Sequence, residues 1–129
     1  MGNKTVLLVE DDLEIRDILQ DVLEAEGFDV FPASNGKQAL DFLTLNQPQH
    51  ADLVILDLMM PMISGWQVLE KMNKDPNLSG IPVMVLSAVA RDKPEGASAF
   101  LRKPFNIDAF CDAVRGHFSK ASASSPGVA

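Results

Sequence analysis

Short apolar segments alternate along the chain with longer segments whose apolar positions recur at helical spacing. Four nearly continuous apolar segments indicate strands, at residues 6–9, 53–56, 83–86 and 100–101, and a short candidate second strand covers residues 28–31. Strand-like and helix-like segments in alternation are typical of an α/β fold with a mainly parallel sheet. The pattern therefore predicts a single domain built on a five-stranded parallel sheet.

Helical segments are predicted between the first four strands and after the last. The first helix follows an acidic segment, Glu10-Asp11-Asp12, in which Asp11 or Asp12 can cap it. Ser34 can cap a second helix that ends near Leu45, Ser64-Gly65 opens a third, and Asn106 caps the last. A tail rich in Ser, Ala, Gly and Pro starts at Ala121, so we expect a folded domain over residues 1–120 and a disordered or frayed tail over 121–129.

The connection between the last two strands is unusually short. Twelve residues separate Leu86 from Ala99, and they include Pro94 and Gly96. A parallel crossover normally needs about a dozen residues or more and usually contains a helix. We therefore expect the fourth helix to be missing or very short. An apolar strip on the adjacent strand would then be uncovered, which predicts a homodimer or a partner contact on the side of strands four and five.

Polar residues follow four of the predicted strands at the point where each strand ends. They are Glu10 and Asp11 after the first, Asp57 after the third, Ser87 after the fourth and Lys103 after the fifth. In an open parallel sheet, ligands bind outside the carboxyl ends of the strands. A group of carboxylates, one hydroxyl and one cation at this edge suits a divalent metal and a phosphoryl group.

Each of these residues alone has an ordinary explanation: a helix cap, a turn residue or a solvated charge. Together they support a specific chemistry. Asp57 can attack phosphorus and form an acyl phosphate. Mg²⁺ prefers oxygen ligands such as Glu10 and Asp11 beside Asp57. Ser87 and Lys103 can hold phosphoryl oxygens. Without metal the clustered carboxylates repel one another, so the pKa of at least one of them should rise.

Composition narrows the class of protein further. The chain has 129 residues and a net charge of -7, which disfavours binding to nucleic acid or to an anionic membrane surface. No apolar stretch approaches the roughly 20 residues that span a bilayer. The single cysteine, Cys111, excludes an internal disulfide, so a reducing cytoplasmic location is expected.

The sequence resembles the receiver domain of two-component response regulators, of which CheY is the small type. The matching segments are residues 6–12, residues 52–58 with Met60-Pro61 and Gly65, residues 83–88, and Lys103-Pro104-Phe105. The resemblance covers about residues 4 to 120. It implies a flavodoxin-like, three-layer fold with strand order 2-1-3-4-5. It also implies that Asp57 is the phosphoacceptor, phosphorylated by a sensor histidine kinase or a phosphotransfer protein.

The resemblance also implies roles for further residues. Mg²⁺ would be bound by Asp11, Asp57 and the backbone carbonyl of Met59, with Glu10 acting partly through water. The phosphoryl oxygens would be held by Ser87, Lys103 and the backbone N–H of Ala88. Ser87 and Phe100 would form the switch, although Phe100 lacks the hydroxyl of the tyrosine often found there, and the Lys103–Pro104 bond would be cis.

We expect a stand-alone receiver that is not an enzyme acting on external substrates. The apolar residues Met59 and Val89, two positions past Asp57 and Ser87, predict slow loss of the phosphoryl group because they obstruct the attacking water. One alternative is an adaptor with the receiver fold that works without phosphorylation, because the short connection removes a usual output surface. Another is a phosphatase, which the lack of a second general acid beside Asp57 disfavours.

Overall fold

A computed structural model describes residues 3–45 and 51–123 of the chain. The described strands are β1 (Thr5–Val9), β2 (Asp29–Ala33), β3 (Leu53–Asp57), β4 (Val83–Ser87) and β5 (Ala99–Arg102). The described helices are α1 (Leu13–Ala25), α2 (Gly36–Leu45), α3 (Gly65–Lys74) and α4 (Ile107–Ala123). Each predicted strand and helix is present, with ends that differ from the prediction by a few residues. The loop predicted around Pro48 lies outside the described residues.

All five strands are parallel and lie in the order β2-β1-β3-β4-β5. β1 is paired with β2 on one side and β3 on the other. The order in which strands are added to the sheet therefore reverses after β2. This confirms the predicted flavodoxin-like order. The carboxyl ends of β1 and β3 are therefore neighbours at the point where a parallel α/β sheet binds ligands.

The sheet separates two apolar clusters, as expected when successive side chains point to opposite faces. Leu7 and Val9 of β1 contribute to a cluster that contains residues of α2 and α3. Val6 and Leu8 contribute to a second cluster that contains residues of α1 and α4. β3 and β4 are buried along their whole lengths, which explains why their sequences are continuously apolar. The molecule therefore has the three layers that the sequence predicts.

Three of the four predicted helix caps are confirmed. The backbone N–H of Ile15 donates to Asp12 Oδ1 at 3.1 Å, Ser64 forms a capping box with Gln67, and Asn106 accepts from the backbone N–H of Ala109.

The cap predicted for α2 is wrong by one residue. The Asn35 side chain accepts from the backbone N–H of Gln38 at 2.9 Å, and α2 begins at Gly36. Ser34 instead donates its own backbone N–H to the Gln38 side chain.

The connection from β4 to β5 contains no helix over residues 88–98, which confirms that the usual fourth helix is missing. The prediction of an uncovered apolar strip on β4 is wrong, however, because every residue of that strand is buried. Pro94 and Ala97 of the connection are buried as well, and Ala97 packs in the same cluster as Val83 and Val85. An irregular segment therefore covers this face in place of a helix, and the predicted homodimer does not have an exposed β4 strip to support it.

The last helix extends to Ala123, three residues into the segment predicted to fray. Residues 124–129 of the predicted tail lie outside the described residues. Among the residues that are described, no helix has both the length and the apolar character needed to cross a bilayer.

Candidate functional site

The structure brings the predicted polar residues together at the carboxyl edge of the sheet. Asp57 is the last residue of β3 and Ser87 the last of β4, whereas Glu10 and Lys103 directly follow β1 and β5. The relative exposures of Glu10, Asp57 and Ser87 are 1%, 2% and 0%. A group of buried polar residues among apolar strands costs free energy unless each has partners, so the contacts of these residues matter.

Three carboxylates form the centre of the site. One oxygen from each of Glu10, Asp11 and Asp57 lies within 4.8 Å of the others. Two of the three carboxylates are buried, and Asp11 is exposed at the opening of the site. A set of oxygen donors with one open side fits Mg²⁺, which prefers oxygen ligands and retains several of its waters. The residues present therefore fit the predicted metal.

Lys103 provides the cation of the site. Its Nζ lies 2.9 Å from Glu10 Oε1 and 3.6 Å from Asp57 Oδ2. Burial alone lowers the pKa of Lys103, but the hydrogen bond to Glu10 and the charges of both carboxylates outweigh burial and raise it. Lys103 thus stays charged within reach of the Asp57 carboxylate. The peptide bond between Lys103 and Pro104 is cis, as predicted.

Asp57 has the raised pKa that was predicted for one of these carboxylates, with burial as its largest cause. Burial, followed by a side-chain hydrogen bond with Glu10 and the charge of Glu10, raises the pKa of Asp57 from 3.8 to about 7. The backbone N–H of Met59 and the Lys103 charge act in the opposite direction but do not outweigh these causes. The negative charge at this edge of the sheet is therefore only partly balanced by Lys103, which favours the binding of a cation.

The segment after Asp57 is held tightly against the strand. The backbone N–H of Met59 donates to Asp57 Oδ1 at 3.1 Å, and that of Gly65 donates to the Leu58 carbonyl at 3.0 Å. A Cβ atom at Gly65 would lie 2.3 Å from the carbonyl oxygen of Asp57. Only glycine lets the start of α3 approach the strand end this closely. The role of the Met59 carbonyl as a metal ligand stays a prediction.

Ser87 links the site to the connection that replaces the fourth helix. Its hydroxyl oxygen accepts from the backbone N–H groups of Val89 at 3.1 Å and Ala90 at 3.0 Å. A hydroxyl has one hydrogen to donate in addition to the bonds that it accepts. Ser87 can therefore donate to a phosphoryl oxygen while it still holds the start of the connection. Ala88 is exposed next to it, and the use of its backbone N–H stays a prediction.

The sequence predicts roles at this site for three apolar residues, Met59, Val89 and Phe100. Met59 and Val89 are 55% and 57% exposed, and their effect on the lifetime of the phosphoryl group stays a prediction. Phe100 is half-buried on the edge strand β5 and packs against the cluster that contains Val83. Its role as a switch residue stays a prediction.

The sequence did not predict one contact at the site, which is made by Arg16. Nη1 of Arg16 donates to the backbone carbonyl of Glu10 at 2.8 Å. The signal that was available is the position of a cation near the beginning of a helix, where the helix dipole disfavours positive charge.

Comparison with known proteins agrees with this geometry. The family model for the response regulator receiver domain matches residues 6–115. Sporulation initiation phosphotransferase F of Bacillus subtilis is 38% identical over 119 residues, which cover 89% of this chain and 94% of that protein. The receiver domain of Francisella response regulator 1452 is 31% identical, with a TM-score of 0.75 over 92% of this chain and 99% of that one.

A third similar protein is the receiver domain of a signal transduction histidine kinase from Syntrophus aciditrophicus. Its structure is 26% identical, with a TM-score of 0.80 over 95% of this chain and 96% of that one. The fold, the residues at its carboxyl edge and these matches lead to one conclusion. The chain belongs to the response regulator receiver domain family of two-component signalling.

Proposed function

We propose that this chain is a phosphoacceptor receiver, in which Asp57 takes a phosphoryl group from a sensor histidine kinase or a phosphotransfer protein in a Mg²⁺-dependent reaction. The observation that carries the proposal is the convergence of three carboxylates within 4.8 Å of one another, with the Lys103 ammonium 3.6 Å from Asp57 Oδ2. The names of two similar proteins support the choice of donor, since one is a phosphotransferase and the other a domain of a histidine kinase.

The transfer needs few protein groups, because phosphoryl transfer depends mostly on positioning and electrostatics. An oxygen of Asp57 forms a bond to phosphorus while the bond from phosphorus to the donor histidine nitrogen breaks. The departing imidazole keeps the electron pair and takes up a proton from solvent. The product is an acyl phosphate on Asp57.

The remaining residues would hold the phosphoryl oxygens. Lys103 would move part of its ion pairing from the carboxylates to one oxygen, and Ser87 would donate its hydroxyl hydrogen to another. Mg²⁺, when held by Glu10, Asp11, Asp57 and the Met59 carbonyl, supplies positive charge that offsets the carboxylates and the transferred group. Because Ser87 also holds the backbone of Val89 and Ala90, its movement would carry the signal into residues 88–98.

An apolar cavity beside the acceptor site supports docking of the phosphoryl donor. It has a volume of about 470 Å³ and lies next to Lys103. Its lining is mostly apolar and consists of Ile15, Ile18, Leu19, Ala88, Pro104, Phe105 and Ile107. The side chains of Ile18 and Ile107 are 51% and 37% exposed, and apolar groups left exposed beside a reactive site favour a protein partner.

The proposal includes a cytoplasmic location and a protein that does not turn over external substrates. Binding to nucleic acid is not part of it, in keeping with a net charge of -7. A homodimer through the β4 and β5 side stays a prediction. Light scattering at increasing concentration measures it, and a monomer at every concentration would count against it.

The absent helix favours one second candidate, a receiver-fold adaptor whose binding does not depend on phosphorylation. Amide NMR with Mg²⁺ and beryllofluoride, a phosphoryl mimic, separates the two candidates. A phosphoacceptor should show shifts at Asp57, Lys103 and Ser87 that continue into residues 88–98. Shifts confined to the carboxylates, with residues 88–98 unchanged, would favour the adaptor.

A further inference from the structure

Arg16 contacts the site through the backbone. Its half-buried side chain reaches back from α1, and Nη1 donates to the carbonyl of Glu10 at 2.8 Å. That carbonyl belongs to the peptide that joins Glu10 to Asp11. Two of the three carboxylates at the centre of the site are therefore carried by the peptide unit that Arg16 holds.

The position of Arg16 runs against the usual preference of a helix. Arg16 is the fourth residue of α1, close to the positive end of the helix dipole, where acidic residues such as Glu14 are favoured. Local preferences are commonly broken where function requires it. The contact with the Glu10 carbonyl provides a reason for placing a cation here.

Glu10 is held at each of its polar groups. Its backbone N–H donates to the Ala33 carbonyl at 3.1 Å, Oε2 accepts from the backbone N–H of Asp12 at 3.3 Å, and Oε1 accepts from Lys103 at 2.9 Å. The carbonyl is held by the Arg16 side chain rather than by a ladder with β2, whose pairing with β1 ends at Val9 and Ala33. Among the described residues, the Arg16 side chain is thus the hydrogen-bond donor that holds this carbonyl.

We infer that Arg16 is a positioning residue for the metal site. By holding the peptide between Glu10 and Asp11, it keeps both carboxylates directed at Asp57 despite their mutual repulsion. The inference rests on the proposed Mg²⁺ site. A purely electrostatic role would have the opposite effect, because a nearby cation opposes the binding of Mg²⁺ and its removal would tighten binding. The sign of the change therefore separates the two roles.

The test is a Mg²⁺ titration followed by two-dimensional amide NMR, with the amides of Asp12 and Met59 as reporters of Glu10 and Asp57. Arg16→Met keeps the apolar stem and removes the donor. Changes in residues that orient metal ligands typically weaken binding 10- to 100-fold, so we expect the Mg²⁺ Kd to rise about tenfold. Arg16→Lys retains a donor and should raise the Kd by a smaller factor. Arg91→Met is the matched control, since it removes the same charge from an exposed position in residues 88–98.

Each outcome decides the question. Weaker Mg²⁺ binding by Arg16→Met, with unchanged binding by Arg91→Met, supports the inference. An Arg16→Met variant that binds Mg²⁺ as tightly as wild type, or more tightly, overturns it. If Arg16→Met does not fold, the Mg²⁺ Kd of Arg16→Lys decides the question. A Kd equal to that of the wild-type protein would overturn the inference. A wild-type protein that binds no Mg²⁺ at these residues would overturn the proposed function as well, which separates the two failures.

Discussion

Asp57 lies in an environment unlike that of an ordinary surface carboxylate. Its pKa is raised to about 7, so the folded protein holds a proton on this group more tightly than the unfolded chain does. In the metal-free protein this contribution to stability is present at low pH. It is lost as the pH rises from near the ordinary value of 3.8 to about 7. Wild-type protein should therefore lose stability over this pH range when Mg²⁺ is absent.

Asp57→Asn tests this linkage because it removes the titrating group and keeps the shape. Urea unfolding with a chelator should show the variant more stable than wild type above about pH 7, by roughly 1–3 kcal/mol, with little difference near pH 4. Added Mg²⁺ should restore the stability of the wild-type protein and leave the stability of the variant nearly unchanged. An identical pH dependence in both proteins would contradict the account of Asp57.

Met59 and Val89 lead to a prediction about the lifetime of the acyl phosphate. Both side chains are apolar and more than half exposed, and we expect them to obstruct the water that attacks phosphorus. Met59→Asn or Val89→Glu should shorten the lifetime several-fold, because a polar side chain at either position can orient the attacking water. The decay of phosphorylated protein by intact mass measures it. Leu45→Asn, at an exposed position at the end of α2, is the control, and unchanged lifetimes in both test variants would count against the prediction.

At the scale of elements, the close packing of α3 on β3 depends on Gly65. A Cβ atom there would lie 2.3 Å from the Asp57 carbonyl oxygen and 2.6 Å from the Leu58 Cα, both of which are backbone atoms with little freedom to move. We expect Gly65→Ala to destabilise the fold by about 1–3 kcal/mol and to weaken Mg²⁺ binding, because the end of β3 must shift.

Gly116 provides the matched control for that substitution. It lies within α4, and a Cβ atom there would meet nothing within 4 Å. Gly116→Ala should therefore stabilise the protein by up to about 1 kcal/mol through helix propensity alone. Thermal unfolding of the two variants measures the difference, and similar stabilities would contradict the packing argument.

The strands and helices also show how much of the fold could be predicted from the sequence. The strands and the missing helix were predictable, because the apolar runs are continuous and twelve residues leave little room for a helix. The covering of β4 was not predictable, since it depends on Pro94 and Ala97 folding back onto the sheet. The α2 cap was missed for a similar reason, because Ser34 and Asn35 are both good caps and tertiary packing chooses between them.

At the scale of the whole molecule, residues far apart in sequence meet at one edge of the sheet. Lys103 and Glu10 are 93 positions apart and lie in hydrogen-bond contact. Their meeting was predictable, because the carboxyl ends of parallel strands share an edge. The partners within that edge were not predictable. Lys103 lies closer to Glu10 than to Asp57, and Arg16 holds a backbone carbonyl, a contact that no side-chain pattern reports.

The same meeting of distant residues is the central claim about function, and intact mass spectrometry tests it most directly. Wild-type protein treated with acetyl phosphate and Mg²⁺ should gain the mass of one phosphoryl group. Asp57→Asn should gain none, and a chelator should prevent the gain in wild type. A modified Asp57→Asn variant, or a wild-type protein that stays unmodified with Mg²⁺ present, would contradict the assignment of Asp57 as the phosphoacceptor.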